Sequence, residues 1–134
     1  MKYLFILLLS FSSAQSFCQI YAYKAFEVMA KKCDDLTPIK ENNWAKVEFD
    51  IVVNLDNAKI SLYSNPESEI TITRALTRYT KDGYPHLMYM GVDQQGENCV
   101  VTFIRYGEKD NIHKATIILD YKDVSFSYRL TKSE

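Results

Sequence analysis

Two histidines, His86 and His113, and three cysteines, Cys18, Cys33 and Cys99, are the scarce chemistry-bearing side chains of this 134-residue chain. A zinc site needs three or four ligands at recognisable spacing, and none stands out. Cys99 with either histidine supplies the residue types of a nucleophile and its base. No spacing joins them, so a core cysteine beside surface histidines is the simpler reading. Asp82, Asp93, Asp110 and Asp123 fall in turn-like stretches, where aspartate bonds its own backbone. None of those turns packs several oxygen ligands together, as a calcium loop does. A glycine-rich phosphate loop and a nucleophile elbow are also missing. The sequence therefore points away from an enzyme, a metal site and a cofactor.

Binding chemistry has more to work with. Arg74 continues the parity of Ile70 and Ile72, and Arg105 continues that of Val101 and Phe103. Both are thus expected to face inward. A guanidinium inside an apolar shell is costly unless paired, and it receives carboxylates well. Arg74 and Arg105 are the candidate ligand-binding residues, for a small amphipathic ligand such as a fatty acid. Snorkelling to water at strand ends, or an internal acidic partner, are the competing explanations. Tyrosine is abundant, with ten in the chain. It supplies rigid amphipathic contact area, and it is also a good strand residue. Tyr79 and Tyr84 flank an Asp82-Gly83 turn and are the candidate interaction surface, as an exposed aromatic pair. Trp44 begins a strand and reads as core rather than as a sugar platform.

The elements that must carry these residues are strands. Val47, Phe49, Ile51, Val53 and Leu55 alternate with Lys46, Glu48, Asp50 and Asn54, a period of two that puts the apolar set on one face. Asp56-Asn57 follows as a tight turn able to take positive φ. Ala58, Ile60 and Leu62 form the next strand, and Ser64 to Glu67 a turn. Ile70, Ile72 and Leu76 mark a third strand, closed by Asp82-Gly83. Leu87 to Val92 is apolar on both faces, as in a covered strand. Gly91 within it hints at a bulge or a close backbone approach. Cys99 to Tyr106, Ala115 to Leu119, and Val124 to the end complete seven strands at roughly ten-residue spacing. Residues 20–36 are ambiguous. Ala22, Phe26, Met29, Cys33 and Leu36 have helical spacing, while Tyr21, Tyr23, Phe26 and Val28 favour strand; an eighth strand is the preferred assignment.

Short connections allow only antiparallel neighbours, because a parallel crossover needs a dozen or more residues. The expected fold is all-β, an antiparallel meander of seven to eight strands. A small calycin-like barrel of the kind seen in lipocalins and streptavidin is favoured, with a β-sandwich or roll as the alternative.

Residues 1–18 read as an export signal. Lys2 precedes the apolar run Tyr3 to Phe11, and a small-residue tail offers cleavage after Ala14 or after Cys18. The run is shorter than the roughly 20 apolar residues a membrane span needs. Lipidation of Cys18 is disfavoured, because Phe17 stands where a small residue is required. The expectation is a periplasmic or extracellular protein with a single domain over residues 19–134 and no transmembrane helix in the mature chain. Sixteen basic residues against 17 acidic ones, scattered rather than striped, argue against nucleic acid. Cys33 and Cys99 could form one disulfide in an oxidising compartment, closing a loop of about 65 residues for about 4 kcal/mol, or remain two buried thiols.

The runs Asp56 to Ser64 and Val92 to Cys99, followed by Ile104-Arg105, together with the signal peptide, resemble the small exported β proteins of Bacteroidetes-type bacteria. The resemblance covers most of the mature chain and rests on turn and strand motifs. It implies a strand near the N-terminus and no assigned activity. The expected function is a non-catalytic binding or interaction module for a protein or surface partner. A carrier of a small amphipathic ligand inside a barrel is the alternative, and a hydrolytic enzyme ranks third. Phe49, Phe103, Phe126, Met88 and Met90 are bulky enough to fill a small barrel, which favours the first.

Overall fold

The computed structural model describes residues 19–106 and 114–132. Residues 1–18, where the export signal is expected, and His113 lie outside the described residues. Eight antiparallel strands close into one barrel in simple sequence order. They are β1 (Ile20–Lys32), β2 (Ala45–Asn54), β3 (Lys59–Leu62), β4 (Ser68–Lys81), β5 (Tyr84–Asp93), β6 (Asn98–Arg105), β7 (Ala115–Asp120) and β8 (Val124–Lys132). The barrel, and not a sandwich or roll, is the solution adopted.

Closure depends on β1, which pairs with β2 through residues 20–28 and with β8 through residues 23–32. A register shift between Ala25 and Glu27 interrupts both ladders. The irregularity at Phe26 inserts a residue against β8, whereas against β2 the extra residue lies on β2 between Lys46 and Phe49, and it bends the strand so that one segment can serve two neighbours. It also explains the misleading pattern in this stretch. Tyr21, Tyr23 and Ala25 pack on the core, whereas beyond the bulge Val28 stands opposite Tyr128, so inward positions resume after a step of three. A single bulge thereby imitates helical spacing in what is a strand.

The alternating residues of β2, β3, β6 and β7 meet in the barrel waist. Ile51, Val53, Ile60, Ile70, Val101, Phe103, Ile117 and Leu130 are all essentially inaccessible to solvent. An eight-stranded barrel has an interior just wide enough for side chains to fill, and here they fill it. Gly91 sits where the wall is tightest. A Cβ there would lie 2.6 Å from the Ile70 Cγ2 methyl, so the close approach anticipated for this glycine is real. The bulges lie on the facing strand, β4, between Ile72 and Arg74 and between Ala75 and Thr77.

Two turns differ in detail from their sequence reading. After β2 the residue with positive φ is Ala58, at 54°, and not Asp56 or Asn57. Asn54 accepts the Asn57 amide through its side chain at 3.1 Å, so the turn is one of several residues held by an asparagine. The β4–β5 turn is the expected one, with Asp82 and Gly83 both at positive φ.

The outer wall is two-sided. Over β1 to β4 it is charged, with ion pairs Lys24–Glu48 at 3.5 Å and Lys59–Glu69 at 3.4 Å, the surface of a solvated wall. Over β5 to β7 it carries Met88, Met90, Val100, Ile104 and Ile118, none of them fully exposed. No helix among the described residues is long and apolar enough to cross a membrane.

The connection from β1 to β2 contains a short 3-10 turn, Glu41–Asn43. Arg129 fastens it to the outside of β8. Its guanidinium lies 3.1 Å from Glu27, 2.7 Å from Glu41, and 3.9 Å above the Trp44 ring. Trp44 is therefore not a barrel-core residue; it forms the plate on which Arg129 rests. Replacing Arg129 with alanine is expected to cost about 1–2 kcal/mol of stability. It should also shift the emission of this sole tryptophan to the red. Unchanged emission and an unchanged unfolding midpoint would show that the clamp holds nothing.

Candidate functional site

With the waist packed, the barrel can receive a partner only at its two mouths or on its wall. The mouth at the end of β3, β5 and β7 holds a hollow of about 760 Å³. Tyr121, Phe126 and Tyr128 give it an aromatic floor, and Asp93, Glu97 and Asp123 line it against a single cation, Lys122. The three aromatics come from the β7–β8 hairpin, where the period of two turns Phe126 and Tyr128 inward. Phe126 meets Tyr121 edge-on at 6.1 Å, and Tyr128 meets Phe49 edge-on at 5.8 Å. These contacts leave the rings fixed before any ligand arrives.

The rim is tied down as well. Asp93 Oδ1 accepts the amides of Gln95 at 3.0 Å and Glu97 at 2.9 Å, which folds the β5–β6 turn. Gln94 then reaches across to the β3–β4 turn. Its side chain accepts the Glu69 amide at 2.6 Å and donates to the Glu67 carbonyl at 3.1 Å. Two neighbouring turns thus move as one edge. Tyr121 donates to the Asp93 carboxylate, and its pKa is raised, chiefly by burial and then by Cys99 and Asp93. Burial pushes the Cys99 thiol up to about 11, with Asp93 adding to it. Both groups are neutral at ordinary pH, Tyr121 lining the cup and Cys99 buried behind it. Cys99 is therefore an inert thiol, because the thiolate is the reactive form.

A second hollow, of about 810 Å³, lies on the outer wall at the β1 bulge, between Lys24, Phe26, Lys46 and Glu48. Its lining is mostly charged side chains of the outer wall, and the cup with its aromatic floor is the better receptor.

The opposite mouth carries an arginine. Arg105, at the end of β6, places Nη1 3.2 Å from the Tyr21 hydroxyl and its guanidinium 4.5 Å from the Tyr21 ring centre. Arg105 is exposed at the rim, above Phe103. Arg74 does not share this mouth. The bulge after Ile72 places it opposite Met90, whose neighbour Gly91 faces the core, so Arg74 stands on the outer wall. The parity argument failed there because one inserted residue reverses every later side chain.

Tyr79 and Tyr84 flank the β4–β5 turn, but they do not pair with each other. Tyr79 stacks on His86 at 4.8 Å, and Tyr84 meets Tyr106 edge-on at 4.9 Å. Tyr106 in turn lies 2.9 Å from the Thr116 hydroxyl. Tyr79 is 41% exposed and is the more accessible of the two flanking tyrosines. His86 Nδ1 lies 2.9 Å from the Tyr84 carbonyl, which can only accept, so the ring proton is there. His86 is thus on the outer wall, while Cys99 faces inward against Gly91, and no nucleophile–base pair forms between them.

Cys33 and Cys99 are both free, which corrects the disulfide expectation. Cys33 is exposed on the outer edge, with Sγ 3.5 Å from the Tyr121 carbonyl, whereas Cys99 lies inside the wall. Among the described residues, no three histidine, cysteine or acidic side chains group as a metal would need.

Sequence reasoning missed the cup. Phe126 and Tyr128 were legible as inward strand residues, but nothing local says that they floor an open mouth and not a sealed core. The chain matches no protein-family model, no curated protein and no solved structure.

Proposed function

We propose that this chain is an exported, non-catalytic binding module that takes a basic, partly apolar segment of a partner in the cup floored by Tyr121, Phe126 and Tyr128. The observation that carries the reading is the contrast between a packed waist and an open, aromatic, acidic mouth. A concave site with apolar walls and a few convergent polar groups is the usual form of a receptor. Three acids against one lysine favour cations at the rim, and tyrosine faces attract them at the floor. Export is supported by the charge and hydropathy pattern of residues 1–18. The burial of Phe103 and its neighbours at the waist supports this reading over that of a carrier with a ligand inside the barrel.

Titration with acetyl-Lys-Phe-Lys-amide at low salt tests the reading by calorimetry. Wild type is expected to bind it and to ignore acetyl-Glu-Phe-Glu-amide. The double variant Glu97→Lys/Asp123→Lys should weaken binding about tenfold or more, and added salt should weaken it further. Equal binding of both peptides, or none of either, would overturn the proposal.

A further inference from the structure

The geometry points to a second site, at the opposite mouth, that receives a small planar carboxylate between Arg105 and Arg78. This inference does not depend on the acidic cup. Two bulges in β4 decide which arginine serves. They turn Arg74 outward but set Ala75 opposite Tyr89 and Arg78 opposite Leu87. Residues directly opposite in an antiparallel pair share a face. Leu87 and Tyr89 pack on the core, so Arg78 stands on the inward face of the β4–β5 hairpin. Beyond Thr71 that hairpin has no β3 partner, because β3 pairs only with Ser68 to Thr71. It rises past the short strand as a flap whose inner face looks over the mouth.

Across that mouth lie Tyr21, Tyr23 and Arg105. Burial raises the Tyr23 hydroxyl, and the Arg105 charge beside it works against the rise. Tyr89 is raised in the same way, with Tyr21 adding to the rise and the Arg78 charge opposing it. The two arginines thus act on one group of phenols. Among the described residues, neither arginine is ion-paired with a carboxylate. A guanidinium carries five donors in a planar fork. Arg105 directs donors to the Tyr21 hydroxyl, at 3.2 Å, and to the Tyr23 hydroxyl, and its plane is supported by the Tyr21 ring below. This is a preorganised fork, and a carboxylate is the group it matches.

The floor sets the size of the ligand. Phe103 lies 5.6 Å from the Tyr21 ring and 5.9 Å from the Tyr23 ring and is fully buried. A long acyl chain cannot pass it. A flat aryl group can lie on Leu87 and Tyr89 beneath the flap with its carboxylate at the rim. The ligand class is therefore a small aromatic carboxylate and not a fatty acid.

2-Naphthoate, followed by its own fluorescence, is the probe. Binding to wild type is expected, with no binding of 2-naphthylmethylamine. Arg105→Gln and Arg78→Gln should each weaken naphthoate about tenfold or more, Arg105→Lys less, and Arg74→Gln not at all. Circular dichroism confirms that the variants are folded, as exposed positions allow. Comparable binding of 2-naphthyl phosphate with the same arginine dependence supports the anion site and widens its ligand to phosphates. Failure of naphthoate to bind, equal binding of the amine, or an equal loss in Arg74→Gln overturns it. Tight binding of palmitate would also overturn it, since that requires an open bore.

Discussion

Replacing Phe103 with alanine lowers the stability of the barrel by about 3–5 kcal/mol. Phe103 is the largest of the fully buried side chains. It contacts Tyr21 and Tyr23 by ring packing and lies opposite Leu87 on β5 and Ile117 on β7. Eight strands anchored by their hydrogen-bond ladders cannot collapse onto the space it leaves. The loss is therefore the transfer term plus a cavity term, near the upper end of such substitutions. Chemical denaturation reads it as a lower midpoint with an unchanged slope. A loss below about 1 kcal/mol would mean that the waist is not the packed plug described here. The same variant should bind small apolar guests in its waist, which wild type refuses.

Stability is expected to fall steeply between pH 9 and pH 11. The Cys99 thiol is raised from 9.0 to about 11 by burial, so the fold holds this proton over a range where the unfolded chain releases it. A raised acid contributes stability that is complete below its unfolded pKa and lost as pH rises through the folded value. Two units correspond to at most about 3 kcal/mol, reduced by solvent screening. Tyr121, Tyr128, Tyr23 and Tyr89 are raised in the same direction, each chiefly by burial, and extend the decline further into alkali. Cys99→Ser removes the thiol titration; its unfolding midpoint should vary less between pH 9 and pH 10 than that of wild type. A wild type equally stable at pH 8 and pH 10.5 contradicts the buried, inert thiol.

Much of the fold was legible because β structure writes its facing on alternate residues. Val47 to Val53 and Val124 to Leu130 display that period directly, and the turns at Asp82-Gly83 and Asp93 to Gly96 separate strands where expected. What hid from the sequence was the bulge. Phe26 made β1 look helical, and the irregularity after Ile72 moved Arg74 outward, while the second, after Ala75, returned Arg78 to the inward face. A bulge leaves no compositional mark, yet it reverses every later side chain until the next one. The facing read from parity failed where it was carried past such a point, as for Arg74, whereas no bulge intervenes between Phe103 and Arg105 at the end of β6. The cup was illegible for another reason. Whether Tyr121, Phe126 and Tyr128 seal a core or floor a mouth depends on how far the rest of the barrel wall extends around them, and no single segment encodes that comparison.

The Asp93–Tyr121–Cys99 group ties the two halves of the account together. Asp93 folds the turn that forms the rim, accepts from Tyr121 on the floor, and lies near the thiol that titrates with the fold. The acidic mouth is therefore built into the same packing that gives the barrel its stability.

The sharpest check is a map of amide shifts on adding acetyl-Lys-Phe-Lys-amide to isotope-labelled protein. Shifts confined to residues 62–68, 93–98 and 119–128, with Val101, Ile117 and Leu130 unmoved, are what a plugged barrel with a receptive acidic end requires. Movement of those waist amides, or a response centred on Tyr21 and Arg105 instead, would contradict it.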